Sequence, residues 1–224
     1  MKITGKSKVN KCIQILEDLY GVPEAEQIDP VDLLVATILS QNTTDKNSLK
    51  AFGNLKSSYL DYESLLSAPE AQIEVKIRVG GLAEMKANRI KEALEKIKAD
   101  AGSIDLGVIG KMDLKEARDY LLSIRGVGPK TAAVVLLFAF HKATMPVDTH
   151  VFRVSKRIGL VPENASIKEA QAVLENKTPL DKYITLHINL IRHGRLICKA
   201  RNPVHIDCAL RDICDYYSHA TSLK

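Results

Sequence analysis

The sequence predicts an all-α fold. Apolar residues recur with helical spacing along nearly the whole chain of 224 residues, and no run alternates apolar and polar residues for long enough to form a sheet. Helix start and stop signals, such as an Asp-Pro pair or a terminal glycine, bound several of these segments. Apolar residues make up 46% of the chain and charged residues 26%, which excludes disorder and coiled coil as its main character.

Six helical segments are predicted before residue 124. The second begins at Asp29-Pro30, where proline suits the first helical turn. The sixth has Asp113 as its N-cap, and Glu116 three residues later completes a capping box. The six helices lie within residues 9–20, 30–39, 46–52, 67–78, 86–98 and 113–123.

Four further helices are predicted over 130–140, 148–159, 166–176 and 183–193. The first of these contains the longest apolar run of the chain, nine residues from Ala132 to Phe140. A membrane span needs about 20 such residues, so we expect a buried core helix here. The N-terminus lacks the apolar segment of a secretory signal, and we therefore expect a cytoplasmic protein.

The charge balance is mildly basic. Lysine and arginine outnumber aspartate and glutamate by 32 to 27, which gives a formal charge of +5. This excess permits a polyanionic partner without requiring one. Tryptophan is absent and aromatic residues are only 5% of the chain, which argues against the broad stacking surfaces of single-strand-binding proteins.

A glycine-rich turn separates two of the predicted helices. Neither Gly126 nor Gly128 has a Cβ, so the backbone can approach another surface closely, while Val127 between them would anchor the turn in the core. Pro129 then begins a helix whose free amides and positive dipole end can bind a phosphate. A plain turn is the alternative, but the proline, lysine and apolar helix that follow favour a nucleic-acid contact independent of base sequence.

Two residues after this turn could carry chemistry. Lys130 lies in the first helical turn, where a cation opposes the helix dipole. Nearby positive charge and partial burial would favour its neutral amine and make it a nucleophile, and a phosphate-contacting lysine is the equal alternative. Asp148 could simply cap the next helix, or it could stabilise an oxocarbenium-like sugar or accept a proton from an attacking amine.

These segments resemble the endonuclease III family of DNA glycosylases, within the helix-hairpin-helix superfamily. The resemblance rests on Gly-Val-Gly-Pro-Lys-Thr-Ala from Gly126 and Val-Asp-Thr-His-Val-Phe-Arg-Val from Val147. It extends to the motifs at 39–45, 81–87 and 193–195, and so covers almost the whole chain. Lys130 occupies the position of the family's Schiff-base nucleophile, and Asp148 that of its essential carboxylate.

The resemblance also implies a fold and a set of DNA contacts. Residues 29–142 would form a six-helix barrel domain with the helix-hairpin-helix, and 1–28 with 143–224 a second, discontinuous helical domain. The target nucleotide would be flipped out of the duplex. Gln41, Asn42 and Leu82 lie in loops that would fill the gap and wedge the stack, although the family usually has glutamine where Asn42 aligns. The other predicted DNA-binding residues are Gly126, Val127, Gly128, Arg153, Arg195, Lys199 and Arg201, the last three in a basic stretch suited to phosphates.

The function implied is a bifunctional DNA glycosylase and AP lyase of base excision repair. It would remove damaged, above all oxidised, pyrimidines through a Schiff base and β-elimination. The alternatives are a glycosylase for uracil, thymine mismatches or oxidised purine on the same scaffold, and a helix-hairpin-helix DNA-binding protein without catalysis. The expected partner is double-stranded DNA with damaged bases or abasic sites, bound by a monomer associated with the nucleoid.

Three of the four cysteines cluster near the end of the chain. They follow the pattern Cys198-x6-His205-x2-Cys208-x5-Cys214, which keeps the register of the family's four-cysteine [4Fe–4S] loop with histidine at the second position. Imidazole is an established replacement for thiolate in iron–sulfur ligation, so a [4Fe–4S] cluster on these four residues is expected. A Cys3His zinc site and ordinary buried thiols are the alternatives.

Overall fold

A computed structural model of the chain describes residues 4–24, 27–204 and 206–222. Within these ranges all regular structure is helical, which confirms the predicted all-α fold. The α-helices are α1 Gly5–Tyr20, α2 Pro30–Ser40, α3 Asp45–Ser58, α4 Tyr62–Ser67, α5 Glu70–Ile77, α6 Ala83–Ala101, α7 Leu114–Ser123, α8 Pro129–Phe138, α9 Thr149–Ile158, α10 Ile167–Lys177, α11 Tyr183–Leu196 and α12 Asp215–Ser222. Short 3₁₀ turns occupy Arg78–Gly80, Gly107–Lys111, Leu180–Lys182 and Arg211–Ile213.

Local signals explain most helix starts. Asp29 accepts hydrogen bonds from the amides of Val31 and Asp32 and caps α2, with proline at the first helical position. Asp113 and Glu116 form the predicted capping box at the start of α7. These reciprocal bonds satisfy backbone donors that the helix itself leaves without partners.

The helix predicted within residues 67–78 is confirmed by α5, which begins only at Glu70. α4 ends at Ser67, and Ala68 adopts an extended conformation (φ −70°, ψ 146°) before Pro69. The proline ring disfavours the helical conformation in the residue that precedes it, so α5 has to begin after Pro69. The sequence analysis predicts no helix at α4 or at α12 and so missed both.

The chain divides into two compact units, Gln27–Lys142 and Met1–Glu26 with Ala143–Lys224. In the first unit, α2 packs against α3, α6 and α8, and α8 also packs against α7. The fully buried side chains of Leu34, Ile38, Ile90, Leu94 and Leu136 lie in its core. Burial of each such side chain contributes about 1.5–3 kcal/mol, which fixes the helices that carry the glycine-rich turn.

The second unit is organised around α11. This helix packs against α1 and α9, while α12 packs against α9 and α1 also contacts α10. Lys8 of α1 is buried and pairs with Asp215 of α12, with Nζ and Oδ2 3.0 Å apart. α11 and α12 flank the cysteine-containing loop, so their packing determines where that loop lies. Whether the two units are also separate folding domains stays a prediction.

Candidate functional site

The glycine-rich turn between α7 and α8 is anchored by its middle residue. Val127 is 6% exposed and belongs to the hydrophobic core, as predicted, while Gly128 is exposed. Gly128 is also the N-cap of α8 and carries no capping side chain, so the first intrahelical bond of α8 runs from the Ala132 amide to the Gly128 carbonyl. The earlier amides of α8 therefore point outward at the positive end of the helix dipole, an arrangement that suits a phosphate oxygen.

Lys130 is the second residue of α8, and its side chain is exposed. The partial burial expected from the sequence is not found, because α8 turns Thr131, Ala132 and Val135 toward the core instead. An exposed amine beside the turn is open to a substrate that approaches from solvent. Its role as a nucleophile stays a prediction.

Asp148 is the N-cap of α9. Its Oδ1 atom accepts a hydrogen bond from the Val151 amide at 2.7 Å, and the side chain is half-buried. The capping role that the sequence offered as the simpler alternative is therefore confirmed. The cap also holds the carboxylate in one orientation, which is compatible with a second role toward a sugar.

The loop after α2 contacts the glycine-rich turn. Gln41 donates from Nε2 to the Gly126 carbonyl at 3.3 Å and accepts at Oε1 from Arg89 Nη1 at 2.8 Å. The stem of Arg89 in turn lies against Gly126, since a Cβ added to that glycine would be 2.8 Å from Arg89 Cδ. Gln41, predicted to enter DNA, is thus held in place by α6 and by the turn.

Asn42 and Leu82 share an unusual backbone conformation. Both are exposed, with φ values of 53° and 50° in the left-handed region. That conformation costs about 1–2 kcal/mol for an ordinary L-residue, and asparagine tolerates it better than leucine does. Leu82 is also a 52% exposed apolar side chain at the start of α6. Strain and apolar exposure at one residue are typical of a functional position.

The predicted basic DNA contacts differ in accessibility. Arg195, Lys199 and Arg201 are exposed. Arg153, by contrast, is half-buried and donates from Nε to the Cys198 carbonyl at 3.0 Å and from Nη2 to the Gly194 carbonyl at 2.8 Å. These bonds make Arg153 a brace for the cysteine loop, and its contact with DNA stays a prediction.

The three C-terminal cysteines line one pocket together with His193 of α11. Burial raises the pKa of the Cys208 and Cys214 thiols, and the other cysteines of the group add to this effect. His193 is 1% exposed, and burial lowers its pKa to about 4, so its ring is neutral at physiological pH. Its Nε2 atom lies 3.5 Å from Cys208 Sγ, and its Nδ1 atom 3.2 Å from the Tyr20 hydroxyl.

The metal-site prediction is tested only in part by this geometry. His205, the predicted ligand at the second position, lies outside the described residues. Among the residues that are described, no three or more His, Cys, Asp or Glu side chains are arranged to hold a single metal ion. A cluster spreads its ligands over several irons, and three cysteines around one pocket agree with that kind of group.

Comparison with known proteins identifies the family. Residues 35–179 match the family model described as HhH-GPD superfamily base excision DNA repair protein. Endonuclease III of Sulfolobus acidocaldarius is 38% identical over 186 residues, which cover 82% of this chain and 81% of that protein. The chain belongs to the endonuclease III family. It is a DNA glycosylase of base excision repair.

Other members of the endonuclease III family match over nearly the whole length. Endonuclease III of Bacillus subtilis is 32% identical over 209 residues, 92% of this chain and 91% of that protein. The solved structure of a trapped endonuclease III–DNA covalent intermediate, an estranged-adenine complex, superimposes with a TM-score of 0.80 at 30% identity. It covers 98% of this chain and 100% of the solved one. Members of the endonuclease III family typically carry a [4Fe–4S] cluster.

The sequence analysis assigned no role to four residues that contact the site loops, although Lys86 and His193 lie in its motifs at 81–87 and 193–195. Arg89 holds Gln41, Arg157 donates to the Lys199 carbonyl at 2.6 Å, and His193 contacts Cys208. Lys86 of α6 is completely buried, and burial lowers the pKa of its ammonium. One signal was available for Lys86: it stands four residues before Ile90 on the apolar face of its helix.

No helix among the described residues is long and apolar enough to cross a membrane.

Proposed function

We propose that this enzyme is a bifunctional DNA glycosylase and AP lyase that removes damaged, above all oxidised, pyrimidines from double-stranded DNA. One observation carries the proposal: an exposed lysine, Lys130, stands at the start of α8 directly after a turn that suits a phosphate. A primary amine can form a Schiff base with the sugar, whereas a hydroxyl at that position could not. The trapped covalent endonuclease III–DNA complex that this chain resembles supports the same chemistry.

The proposed reaction breaks three bonds of the nucleotide in turn and ends with hydrolysis of the Schiff base. The neutral amine of Lys130 attacks C1′ of the flipped nucleotide, and the damaged base leaves with the electron pair of the glycosidic bond and takes up a proton. The C1′–O4′ bond breaks as the sugar ring opens, O4′ takes up a proton, and a protonated Schiff base joins C1′ to Nζ. Loss of a C2′ proton then expels the 3′ phosphate by β-elimination and nicks the strand. Water finally hydrolyses the Schiff base and frees the amine of Lys130. Asp148 would stabilise positive charge at C1′ and accept the amine proton.

The partner follows from this chemistry. We propose that the enzyme acts as a monomer on duplex DNA that contains damaged bases or abasic sites, in the cytoplasm at the nucleoid. Arg195, Lys199 and Arg201, all exposed, would contact phosphates. Each lost phosphate contact should reduce the salt dependence of binding by about one ion.

We further propose that Cys198, Cys208, Cys214 and His205 hold a [4Fe–4S] cluster. The fit rests on three thiols that share one pocket, and thiolates are the usual ligands of such clusters. The group would be structural and would brace the loop that carries Lys199 and Arg201. Iron analysis and the visible spectrum of anaerobically purified protein test this: colourless, iron-free material would contradict it, and zinc would support the Cys3His alternative.

Borohydride trapping on abasic-site duplex tests the lyase activity. The wild type is expected to form a covalent adduct, and Lys130→Gln, which removes the amine but keeps the side chain polar, is expected to form none. A wild type without adduct would contradict the lyase step, and normal adduct with Lys130→Gln would show that the nucleophile is another residue. A panel of duplexes, scored separately for base release and strand nicking, identifies the lesion and includes uracil, thymine mismatches and oxidised purine.

A further inference from the structure

Lys86 is the most deeply buried ionisable side chain of the first unit, and the proposed chemistry does not use it. Its side chain is 0% exposed, and its ammonium donates to two backbone carbonyls, those of Leu39 and Gly80, each at 2.8 Å. Burial of a cation is costly unless it is well hydrogen-bonded. A lysine that remains at such a position, on the apolar face of a helix, calls for an explanation beyond packing.

Each of the two carbonyls lies two residues before a predicted DNA-contacting residue. Leu39 lies in the last turn of α2, where carbonyls lack helical partners and the dipole favours a cation. Gln41 follows two residues later, and in the same way Leu82 follows two residues after Gly80. Each loop also contains a left-handed residue that is not glycine, Asn42 at φ 53° and Leu82 at φ 50°. The ammonium of Lys86 therefore connects the backbone segments from which the two predicted DNA-contacting loops begin.

Close packing around Gly80 brings its backbone near the ammonium of Lys86. A Cβ added to Gly80 would lie 3.3 Å from Ala51 Cβ and 3.9 Å from Lys86 Nζ, so the ammonium sits directly beneath this loop. Only a long, unbranched side chain with several N–H donors can reach both carbonyls from α6. Arginine is bulkier and planar, and methionine lacks donors altogether.

We propose that Lys86 is a positioning residue that locks the 41–42 loop and the 80–82 loop together, so that Gln41, Asn42 and Leu82 enter the base stack as one rigid wedge. A preorganised wedge keeps the flipped nucleotide out of the duplex, because neither loop has to be ordered during opening. The inference rests on the proposed function, in which these loops replace the flipped base. It assigns Lys86 to DNA opening, not to bond breaking.

Lys86→Met keeps the volume of the aliphatic stem and removes both hydrogen bonds. Lys91→Met is the matched control, because Lys91 lies in the same helix and also donates to a backbone carbonyl, that of Ala68 at 2.7 Å, which belongs to neither loop. Both variants lose an ammonium that donates to backbone carbonyls, two carbonyls at Lys86 and one at Lys91. Only the first loses a connection to the predicted wedge.

The experiment compares borohydride trapping rates on an abasic site in duplex and in single-stranded DNA. The single strand has no base pairs to open, so a wedge contributes only to the duplex rate. We expect Lys86→Met to lower the duplex-to-single-strand ratio about tenfold or more, and Lys91→Met to leave it within about twofold of wild type. A merely structural role would lower both rates in proportion and leave the ratio unchanged, which would overturn the inference.

A double variant and a second substitution strengthen the test. In a Leu82→Ala background, Lys86→Met should change the ratio little further, because the wedge is already impaired; additive effects would count against the inference. If Lys86→Met does not fold, Lys86→Gln retains an N–H donor for one carbonyl and is expected to show a smaller fall in the same ratio. A wild type that traps neither substrate would refute the proposed function itself, whereas normal trapping with an unchanged ratio would refute only the role of Lys86.

Discussion

The two glycines of the helix-hairpin-helix turn allow a matched pair of alanine substitutions. Gly126 has φ +83°, and a Cβ added there would lie 2.8 Å from Cδ and 3.0 Å from Cγ of Arg89. Gly128 has φ −93°, and nothing lies within 4 Å of its added Cβ. Gly126→Ala and Gly128→Ala therefore add the same methyl group, but only the first meets strain and a close neighbour.

The expected cost of Gly126→Ala follows from these two terms. A left-handed alanine costs about 1–2 kcal/mol. Displacement of the Arg89 stem adds about 1–3 kcal/mol, as in other overpacked sites. The sum is about 2–5 kcal/mol, and at about 2–4 °C per kcal/mol for a chain of this size the melting temperature should fall by about 4–20 °C. Gly128→Ala, by contrast, should stay within about 0.5 kcal/mol of wild type.

Thermal unfolding followed by circular dichroism measures the stability of each variant. Binding to a duplex with an abasic-site analogue measures the affinity of each variant for DNA. We expect Gly128→Ala to melt like the wild type but to bind more weakly, since its methyl group stands where a phosphate should approach. If Gly126→Ala melts with the wild type, the packing of Arg89 on the turn has been misjudged. If Gly128→Ala binds as tightly as the wild type, the close approach of a phosphate to this backbone is refuted.

Three further predictions concern residues of the second unit. Asp148→Ala should lose about 1 kcal/mol of stability and should no longer form the borohydride-trapped adduct. Asp148→Ser keeps a cap for α9 and should regain the melting temperature but not the adduct. If Asp148→Ser regains both, the carboxylate has no part in the chemistry. Cys12 is fully buried, and burial raises its pKa to about 12. Iodoacetamide at pH 8 should therefore modify Cys12 only after the protein is unfolded in urea, which mass spectrometry can measure. Rapid labelling of Cys12 in the folded protein would disprove this. Arg157→Ala removes the donors to the Lys199 and Ala200 carbonyls and should speed tryptic cleavage after Lys199. Arg211 donates from Nη1 to the Ile206 carbonyl, and the control Arg211→Ala should not speed that cleavage. Equal cleavage rates in the two variants would show that Arg157 does not hold the loop.

Much of the helical architecture could be predicted because its signals are local. The capping box at Asp113 involves residues three apart, and Pro30 acts on its own helical turn. The start of α5 directly after Pro69 is set by an equally local effect of the proline ring. α12 could not be found in this way, because its position depends on packing against α9 and on the Lys8–Asp215 pair.

The residues of the candidate site could likewise be predicted where the signal is local and not where it depends on contacts between distant residues. Lys130 and Asp148 could be singled out because each belongs to a recognisable helix start, Lys130 after Pro129 and Asp148 as the N-cap. The partners of Gln41 could not, since Arg89 lies 48 residues away in sequence and Gly126 85 residues away. The burial of Lys130 was also misjudged, because the face that α8 turns inward depends on neighbouring helices and not on its first turn.

The residues that hold the predicted DNA-contacting loops have one chemical feature in common: a long cationic or amide side chain donates to a backbone carbonyl. Lys86 does so at Leu39 and Gly80, Arg157 at Lys199, and Gln41 at Gly126. A carbonyl is present whatever side chain its residue bears, so the acceptor positions leave no mark in the sequence. The exposed acceptor Lys199 shows this best: removal of its side chain in Lys199→Ala should leave the loop in place, whereas Arg157→Ala should release it. At this loop the donor, and not the residue whose carbonyl it binds, is where a mutation should change loop geometry.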